Sequence, residues 1–200
     1  MLLCKQREDI VRNAAVKYEA FRQIIDNIGE LKYCLIYCSP EQIDTVQEIL
    51  NEKNIIQHKF TQDEDIRPDQ RYGGISEREY LLKKFGDGTY QALVAIRCLD
   101  EGVDIPQAHI GIILASTGNP RQYIQRRGRL LRRFPGKDKA IIYDVLILPP
   151  PKSGLPLSIV ELERKILRKE FQRYQEFAYI ATNVLECIRK VRDVEDKFDL

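Results

Sequence analysis

Residues 125–132, with the sequence QRRGRLLR, have the residue types and spacing best suited to chemistry. Arg129 and Arg132 are three residues apart, so on a helix their guanidinium groups emerge on the same face. Gly128 removes a side chain beside them and permits another surface to approach closely. Two forked cations on one face match the spread negative charge of a phosphoryl group during transfer. A solvated basic face is the alternative interpretation, although like charges at this spacing repel and give a helix no stability.

A second candidate lies in the sequence LVAIRCLDEGVDIP, residues 93–106, where a turn follows an apolar run. Gly102 permits a backbone to approach a ligand closely. Asp104 can accept hydrogen bonds from a ribose hydroxyl. Taken alone, such a turn is more often ordinary turn chemistry than a binding site. The turn therefore indicates a binding site only in combination with residues 125–132.

The elements that must position these residues alternate between apolar runs and helical patterns. Five apolar runs predict strands at residues 33–38, 55–60, 91–96, 110–115 and 140–148. Several are apolar on consecutive residues, which is typical of parallel strands buried on both faces. Helices are predicted at residues 40–53, 76–85 and 120–133, and the second begins with the capping-box spacing of Ser76 and Glu79. The polar stretch 61–74 is predicted to be a loop. We expect an α/β fold with helices on both faces of a parallel sheet, and ligand-binding groups at the carboxyl ends of its strands.

Two further segments flank this pattern. Apolar residues recur near the helical period over residues 5–31, which predicts an N-terminal helix. The sequence PPPKSG at 149–154 breaks the composition and predicts a linker, and a charged helical segment follows at 157–194. We therefore predict an α/β domain at residues 1–150 and a linker with a helical extension at 151–200.

Composition restricts the class of protein without identifying it. The chain has 200 residues, of which 44% are hydrophobic and 31% charged, as expected for one ordinary domain with an appendage. The net charge is only +2, but the stretch from Arg121 to Lys139 contains eight basic residues and one acidic residue. The five cysteines form no metal-ligand pattern, so we predict no metal site and reduced thiols. No apolar stretch is long enough to span a membrane and the start is no signal peptide, so we expect a cytoplasmic protein.

Together, and in this order, these segments resemble the sequence motifs of superfamily 2 helicases. QRRGRLLR resembles motif VI (Gln-x-x-Gly-Arg-x-x-Arg), LVAIRCLDEGVDIP resembles motif V, and YCLIYCS at 33–39 resembles motif IV. The sequence ISEREYLLKKFGDGTYQALVA at 75–95 resembles the stretch before motif V. The resemblance covers about residues 33–145 and implies a RecA-like C-terminal lobe. It is closest to DNA-directed restriction- and repair-type members, because the RNA-unwinding Asp-Glu-Ala-Asp group usually has histidine at the position of Gln125.

The resemblance implies roles for the matching residues in ATP hydrolysis. Arg129 and Arg132 would be arginine fingers, whereas Arg121, Arg133 and Lys137 flank the motif and are expected to be solvated or to supply general electrostatics. Contacts to the nucleotide are implied for Gly102, Asp104 (at the ribose) and Gly128. Gln125 would touch the nucleotide or link it to the other lobe.

The resemblance also implies a surface for nucleic acid. Ser39, Thr61 and Arg97 would face its backbone. Motif V often has threonine where this chain has Ile96, so the phosphate contact there is lost or passes to Arg97 or to backbone amides.

Two missing features imply a partner. The chain has no Gly-x-x-x-x-Gly-Lys-[Ser/Thr] phosphate loop, since Gly136–Lys137 is followed by Asp138. No predicted strand ends in an Asp-Glu pair placed for magnesium, and we expect the polar run 63–65 to be solvated. The resemblance therefore implies that a first RecA-like lobe, in the same or another chain, holds Mg²⁺ and the ATP phosphates. This chain would then be the second motor lobe, inactive alone and bound to nucleic acid, with DNA favoured.

Two alternatives remain open. The chain could be a non-catalytic nucleic-acid or protein interaction module with a helicase-like fold, or it could be an RNA helicase lobe. The joint presence of the residues matching motifs V and VI favours a motor, because a scaffold has no need for that set.

Overall fold

A computed structural model of the protein describes residues 9–95, 105–115, 128, 130–148 and 156–198. Its strands in chain order are β1 (Cys34–Tyr37), β2 (Gln57–Phe60), β3 (Pro68–Asp69), β4 (Ile75–Ser76), β5 (Ala92–Ala95), β6 (Ile110–Ile113) and β7 (Ile141–Asp144). Five of them form one sheet in the order β2-β5-β1-β6-β7, and every neighbouring pair is parallel. The predicted parallel α/β fold is confirmed, although each strand is shorter than its apolar run.

The central strands are buried on both faces, as their unbroken apolar sequences predict. All four residues of β1, β5 and β6 are buried. Side chains alternate across a strand, so Cys34 and Ile36 join one hydrophobic cluster while Leu35 and Tyr37 join the other. Each face of the sheet is thus covered by its own layer of helices.

The helices that form these layers are α1 (Val16–Ile28), α2 (Ile43–Glu52), α3 (Glu77–Gly86), α4 (Leu157–Ala178) and α5 (Val184–Phe198). Helices α1 and α2 bury Phe21 and Ile49 on one face of the sheet. Helix α3 buries Phe85 on the other face, where Phe177 near the end of α4 joins the same cluster. The C-terminal extension therefore packs directly on the sheet domain.

The predicted helix at residues 5–31 is interrupted in the structure. A helical turn at 9–12 precedes a break at 13–15, and α1 begins at Val16; residues 5–8 lie outside the described part. The carbonyl of Arg12 accepts a hydrogen bond from Gln42 Nε2 at 3.0 Å, and Asn13 Oδ1 accepts one from Ser39 Oγ at 2.7 Å. These distant partners occupy polar groups at the point where the helix breaks.

Helix α3 begins with the predicted capping box. The Ser76 hydroxyl accepts from the Glu79 backbone N–H at 3.2 Å, and the Glu79 carboxylate accepts from the Ser76 N–H at 3.0 Å. The preceding polar segment, 61–74, was expected to be a loop. It contains the first strand of the two-stranded hairpin β3–β4, with Gly73 in the left-handed conformation at φ 71°.

The C-terminal extension consists of two helices rather than one continuous segment. Turns at 179–183 separate α4 from α5, and Leu167, Phe171 and Val191 form a small core between them. The predicted linker at 149–155 lies outside the described residues, and the domain boundary at 150 stays a prediction. None of the helices that the structure describes has the length and apolar character of a membrane span.

Candidate nucleotide and nucleic-acid site

The structure describes four of the nine predicted site residues: Ser39, Thr61, Gly128 and Arg132. The other five lie outside the described residues: Arg97, Gly102, Asp104, Gln125 and Arg129. The site can nevertheless be located through the residues on either side of them.

The carboxyl ends of three strands place the candidate segments at one edge of the sheet. Thr61 directly follows β2, and Ser39 lies two residues after β1. The segment resembling motif V begins in β5, which lies between β1 and β2. Parallel strands end at the same edge, so this edge collects residues of three separate segments.

Ser39 is turned into the protein at this edge. Only 4% of the residue is exposed, and its hydroxyl donates to Asn13 Oδ1 at 2.7 Å. Its backbone N–H donates to Gln42 Oε1 at 3.0 Å. The hydroxyl proton is therefore committed to Asn13 in this conformation, and the expected contact with nucleic acid stays a prediction.

Thr61 is also engaged within the protein, by a carboxylate that was expected to be solvated. Glu64 is buried, and its carboxylate accepts from the Thr61 N–H at 2.7 Å and from the Thr61 hydroxyl at 3.1 Å. A buried carboxylate needs such donors. The prediction of a solvated run at 63–65 is therefore wrong for Glu64 but holds for the exposed Asp63 and Asp65.

Lys17 is a buried cation at the same edge that the sequence interpretation missed. It is 4% exposed, and its ammonium donates to the carbonyl of Leu114, just beyond β6, at 2.6 Å. Its position offered a signal: Lys17, Phe21 and Ile25 are spaced four apart, and all three are buried on α1. A lysine on the buried stripe of a helix predicts a specific acceptor inside the fold.

The helix resembling motif VI ends earlier than predicted. Gly128 and Leu130 are helical, Leu131 lies in a turn, and Arg132 follows outside the helix. The prediction that the helix includes Arg132 is therefore wrong, and the predicted shared face of Arg129 and Arg132 stays a prediction, because Arg129 lies outside the described residues. Pro135 prevents the helix from continuing past residue 133, because proline cannot continue a helix and disfavours helical geometry in the residue before it.

Leu130 anchors this helix on the sheet. Its side chain is fully buried and lies over Gly111 of β6. A Cβ atom at Gly111 would lie 2.4 Å from Leu130 Cδ1. Gly128 is exposed, and among the described residues nothing lies within 4 Å of a Cβ placed there. The missing side chain at Gly111 therefore lets Leu130 pack against the sheet. At Gly128 the missing side chain leaves a space that no other described residue fills.

Arg132 is exposed at the mouth of a groove of about 800 Å³. The groove lies between β7 and the ends of α4 and α5, and Arg133 and Lys139 also line it. The end of the motif VI segment thus faces the C-terminal extension as well as the sheet.

Lys137 corrects the expectation that the flanking cations are solvated. Its ammonium is half-buried and donates to the carbonyls of Leu130 at 2.7 Å and Pro106 at 3.2 Å. Burial lowers the pKa of this ammonium, because a charged amine loses hydration inside the fold. Lys137 therefore joins two segments that are well separated in the sequence.

No group of three or more His, Cys, Asp or Glu residues is placed to hold a metal ion within the described ranges. The described cysteines are free thiols, and burial raises the pKa of the Cys34 thiol well above its ordinary value. Such a thiol stays protonated and inert.

The comparison with known families gives the class of the protein. The family described as "Helicase conserved C-terminal domain" matches residues 16–134, more than half of the chain. The chain belongs to this family, and the expected kinship with the C-terminal lobe of superfamily 2 helicases is confirmed.

Individual relatives match over shorter segments. The DNA 3'-5' translocase XPB2 of Sulfurisphaera tokodaii is 45% identical over 71 residues, which are 35% of this chain and 16% of that protein. The ATP-dependent DNA helicase MPH1 of Candida albicans is 38% identical over 66 residues, 32% of this chain and 6% of that protein. The chain therefore spans only a small part of these curated relatives.

Solved structures show the same fold. The C-terminal domain of the DEAD-box protein Dbp5 superposes with a TM-score of 0.58 at 18% identity, covering 90% of this chain and 92% of that one. The C-terminal part of the Fun30 ATPase domain has a TM-score of 0.53 at 15% identity, covering 78% and 54%. At these identities the likeness concerns the fold alone.

Proposed function

We propose that this chain is the second motor lobe of an ATP-dependent superfamily 2 helicase or translocase that acts on DNA. The observation that carries the proposal is the family membership of residues 16–134. DNA is favoured over RNA because similar segments occur in proteins named as a DNA translocase and a DNA helicase. The complete motor is this chain together with a first RecA-like lobe, in the same or another polypeptide.

The nucleotide would lie between the two lobes, with Mg²⁺ and the phosphates held by the first lobe. ATP supplies the phosphoryl group whose transfer drives movement. Arg129 and Arg132 would stabilise the negative charge that develops on that group. The exposed, uncrowded position of Gly128 supports this arrangement, since an opposing surface has room to approach there. Further nucleotide contacts are proposed for Gln125, Gly102 and Asp104.

Nucleic acid would be held through its backbone at the carboxyl edge of the sheet. Ser39, Thr61 and Arg97 are the proposed contacts. The first two are buried, and both their hydroxyls and their backbone N–H groups are bonded within the protein, so a local rearrangement would have to free them. We therefore expect weak binding by this chain alone, without preference for base sequence.

Substitution of the arginines tests the catalytic part of the proposal. In the complete motor, Arg129→Ala and Arg132→Ala should each lower kcat about 10³–10⁵-fold, as arginine fingers do elsewhere. Lysine should not restore turnover, because it lacks the planar fork. Arg133→Ala is the matched control, since Arg133 adjoins Arg132 and is equally exposed but outside the motif.

Steady-state ATPase and nucleotide-free DNA affinity should be measured on all three variants. Turnover near wild type in the first two variants, or a loss of DNA affinity without a loss of kcat, would show that the cluster is backbone-binding surface. Arg132 is the more exacting test, because it lies beyond the end of the helix.

The isolated 200-residue chain tests the division of labour between lobes. It should hydrolyse no ATP with any nucleic acid, and its affinity for a labelled DNA strand should fall steeply between low and moderate salt. A parallel titration with RNA of the same length distinguishes the two helicase classes. Tight, salt-independent or base-specific binding would favour the non-catalytic interaction module.

A further inference from the structure

We propose that Lys137 is a positioning residue that sets where Arg129 lies, by holding the end of the motif VI helix against the end of the motif V segment. This inference rests on the proposed function, because the role of Arg129 belongs to that proposal. Lys137 itself would touch neither nucleotide nor nucleic acid.

The two acceptors of Lys137 are backbone groups beside predicted nucleotide contacts. Leu130, whose carbonyl accepts at 2.7 Å, directly follows Arg129 in the chain. Pro106, whose carbonyl accepts at 3.2 Å, lies two residues after Asp104. A single ammonium group therefore links the main chain next to both residues. Because the contacts are to backbone, they hold the segments themselves rather than mobile side chains.

The last carbonyls of a helix need partners from outside the helix, and lysine can supply them. In a continuing helix the Leu130 carbonyl would accept from the N–H of residue 134. Pro135 stops the helix, and the Lys137 ammonium takes that carbonyl instead. Without Lys137 the carbonyl would lose its partner within the described structure, and the last helical turn would be free to fray.

A tight turn aims Lys137 back at the helix. The Lys137 N–H donates to the Phe134 carbonyl at 2.9 Å across Pro135 and Gly136, and Gly136 has a φ of 79°. Proline followed by glycine at positive φ is the residue pair that such a turn favours. Lys139, only two residues later, is exposed. The turn therefore separates one inward-facing lysine from a nearby outward-facing one.

Leu130 is thus held at both its side chain and its carbonyl. The side chain packs over Gly111, and the carbonyl is bound by Lys137. Arg129 directly precedes this doubly held residue in the sequence. A displacement of about 1 Å at a catalytic group costs about 100-fold in rate, which sets the effect expected when Lys137 is removed.

The test compares Lys137→Met with Lys139→Met in the complete motor. Methionine keeps the length and apolar stem of lysine but donates no hydrogen bond. Lys137→Met should lower kcat for ATP about 100-fold, with KM for ATP and nucleotide-free DNA affinity within about twofold of wild type. Lys139→Met should leave all three unchanged. Lys137→Arg retains donors and charge and should recover most of the turnover.

A double substitution separates positioning from general stability. If Lys137 acts through Arg129, Lys137→Met should cost almost nothing further in an Arg129→Ala background. An equal loss in both backgrounds, or a kcat within twofold of wild type for Lys137→Met alone, would overturn the inference. Should Lys137→Met fail to fold, Lys137→Gln is measured instead: its shorter side chain keeps a donor but does not reach both carbonyls, so kcat should still fall with KM within about twofold of wild type. A kcat for Lys137→Gln equal to that of Lys137→Arg would then overturn the inference.

The Arg129→Ala variant also separates the two proposals. If Arg129→Ala keeps its turnover, the proposed function fails and Lys137 loses its role with it. If Arg129→Ala is inactive while Lys137→Met is fully active, only the positioning role is refuted.

Discussion

Two glycines near the motif VI helix allow the same added methyl group to be tested in opposite surroundings. At Gly111 a Cβ would lie 2.4 Å from Leu130 Cδ1 and 3.1 Å from its Cδ2. Leu130 is fully buried, so it cannot move aside without disturbing its neighbours. Overpacking of this kind costs about 1–3 kcal/mol. The reduced freedom of the unfolded chain returns about 0.4–1 kcal/mol. From the middle of these two ranges, we expect Gly111→Ala to lower the free energy of unfolding by about 1.3 kcal/mol.

Gly128→Ala is the matched control. Gly128 is helical, and among the described residues nothing lies within 4 Å of a Cβ placed there. Alanine is the better helix former by up to about 1 kcal/mol, so the stability of the chain should stay the same or rise. In the complete motor we expect the opposite order for ATP turnover, with Gly128→Ala the more damaging substitution. The proposed nucleotide site needs a residue without a side chain at Gly128. Gly128→Ala should therefore lower kcat although it does not lower the free energy of unfolding.

The assay is urea unfolding of the 200-residue chain, followed by circular dichroism at constant temperature. The midpoint should fall for Gly111→Ala and hold or rise for Gly128→Ala, with the slope unchanged in both. Equal stability of Gly111→Ala and wild type would refute the close packing of Leu130 on β6. A comparable loss for Gly128→Ala would refute the contrast between the two sites.

Two further predictions concern the side-chain carboxylates of Glu64 and Glu79. Glu64→Ala should cost about 1–3 kcal/mol of stability, because it leaves the buried N–H of Thr61 without its acceptor; Gln62→Ala, two residues earlier and exposed, should stay within about 0.5 kcal/mol of wild type in the same melts. Hydrogen bonds in the α3 capping box hold the pKa of Glu79 below its ordinary 4.5, so the charged form stabilises the fold. The advantage of wild type over Glu79→Gln should be full above pH 4.5 and shrink as pH falls below it; an advantage independent of pH from 3 to 7 would contradict this cause.

Features that depend on neighbours in the chain were predictable from the sequence. Strands β1, β5 and β6 follow from consecutive apolar residues, because only a strand covered on both faces buries all of them. The start of α3 follows from Ser76 and Glu79, whose reciprocal bonds span three residues. The kinship with helicases rested on motif spacing along the chain in the same way.

Tertiary structure alone decided which polar groups lie inside the fold. The break before α1 depends on Ser39 and Gln42, which lie 26 and 30 residues from their partners. Lys17 can be buried because a carbonyl 97 residues away accepts a hydrogen bond from its ammonium group. Lys137 is held by Pro106, 31 residues before it. The cost of burying a charge depends on whether a partner is at hand, and chain folding brings such partners together from positions that no local pattern connects.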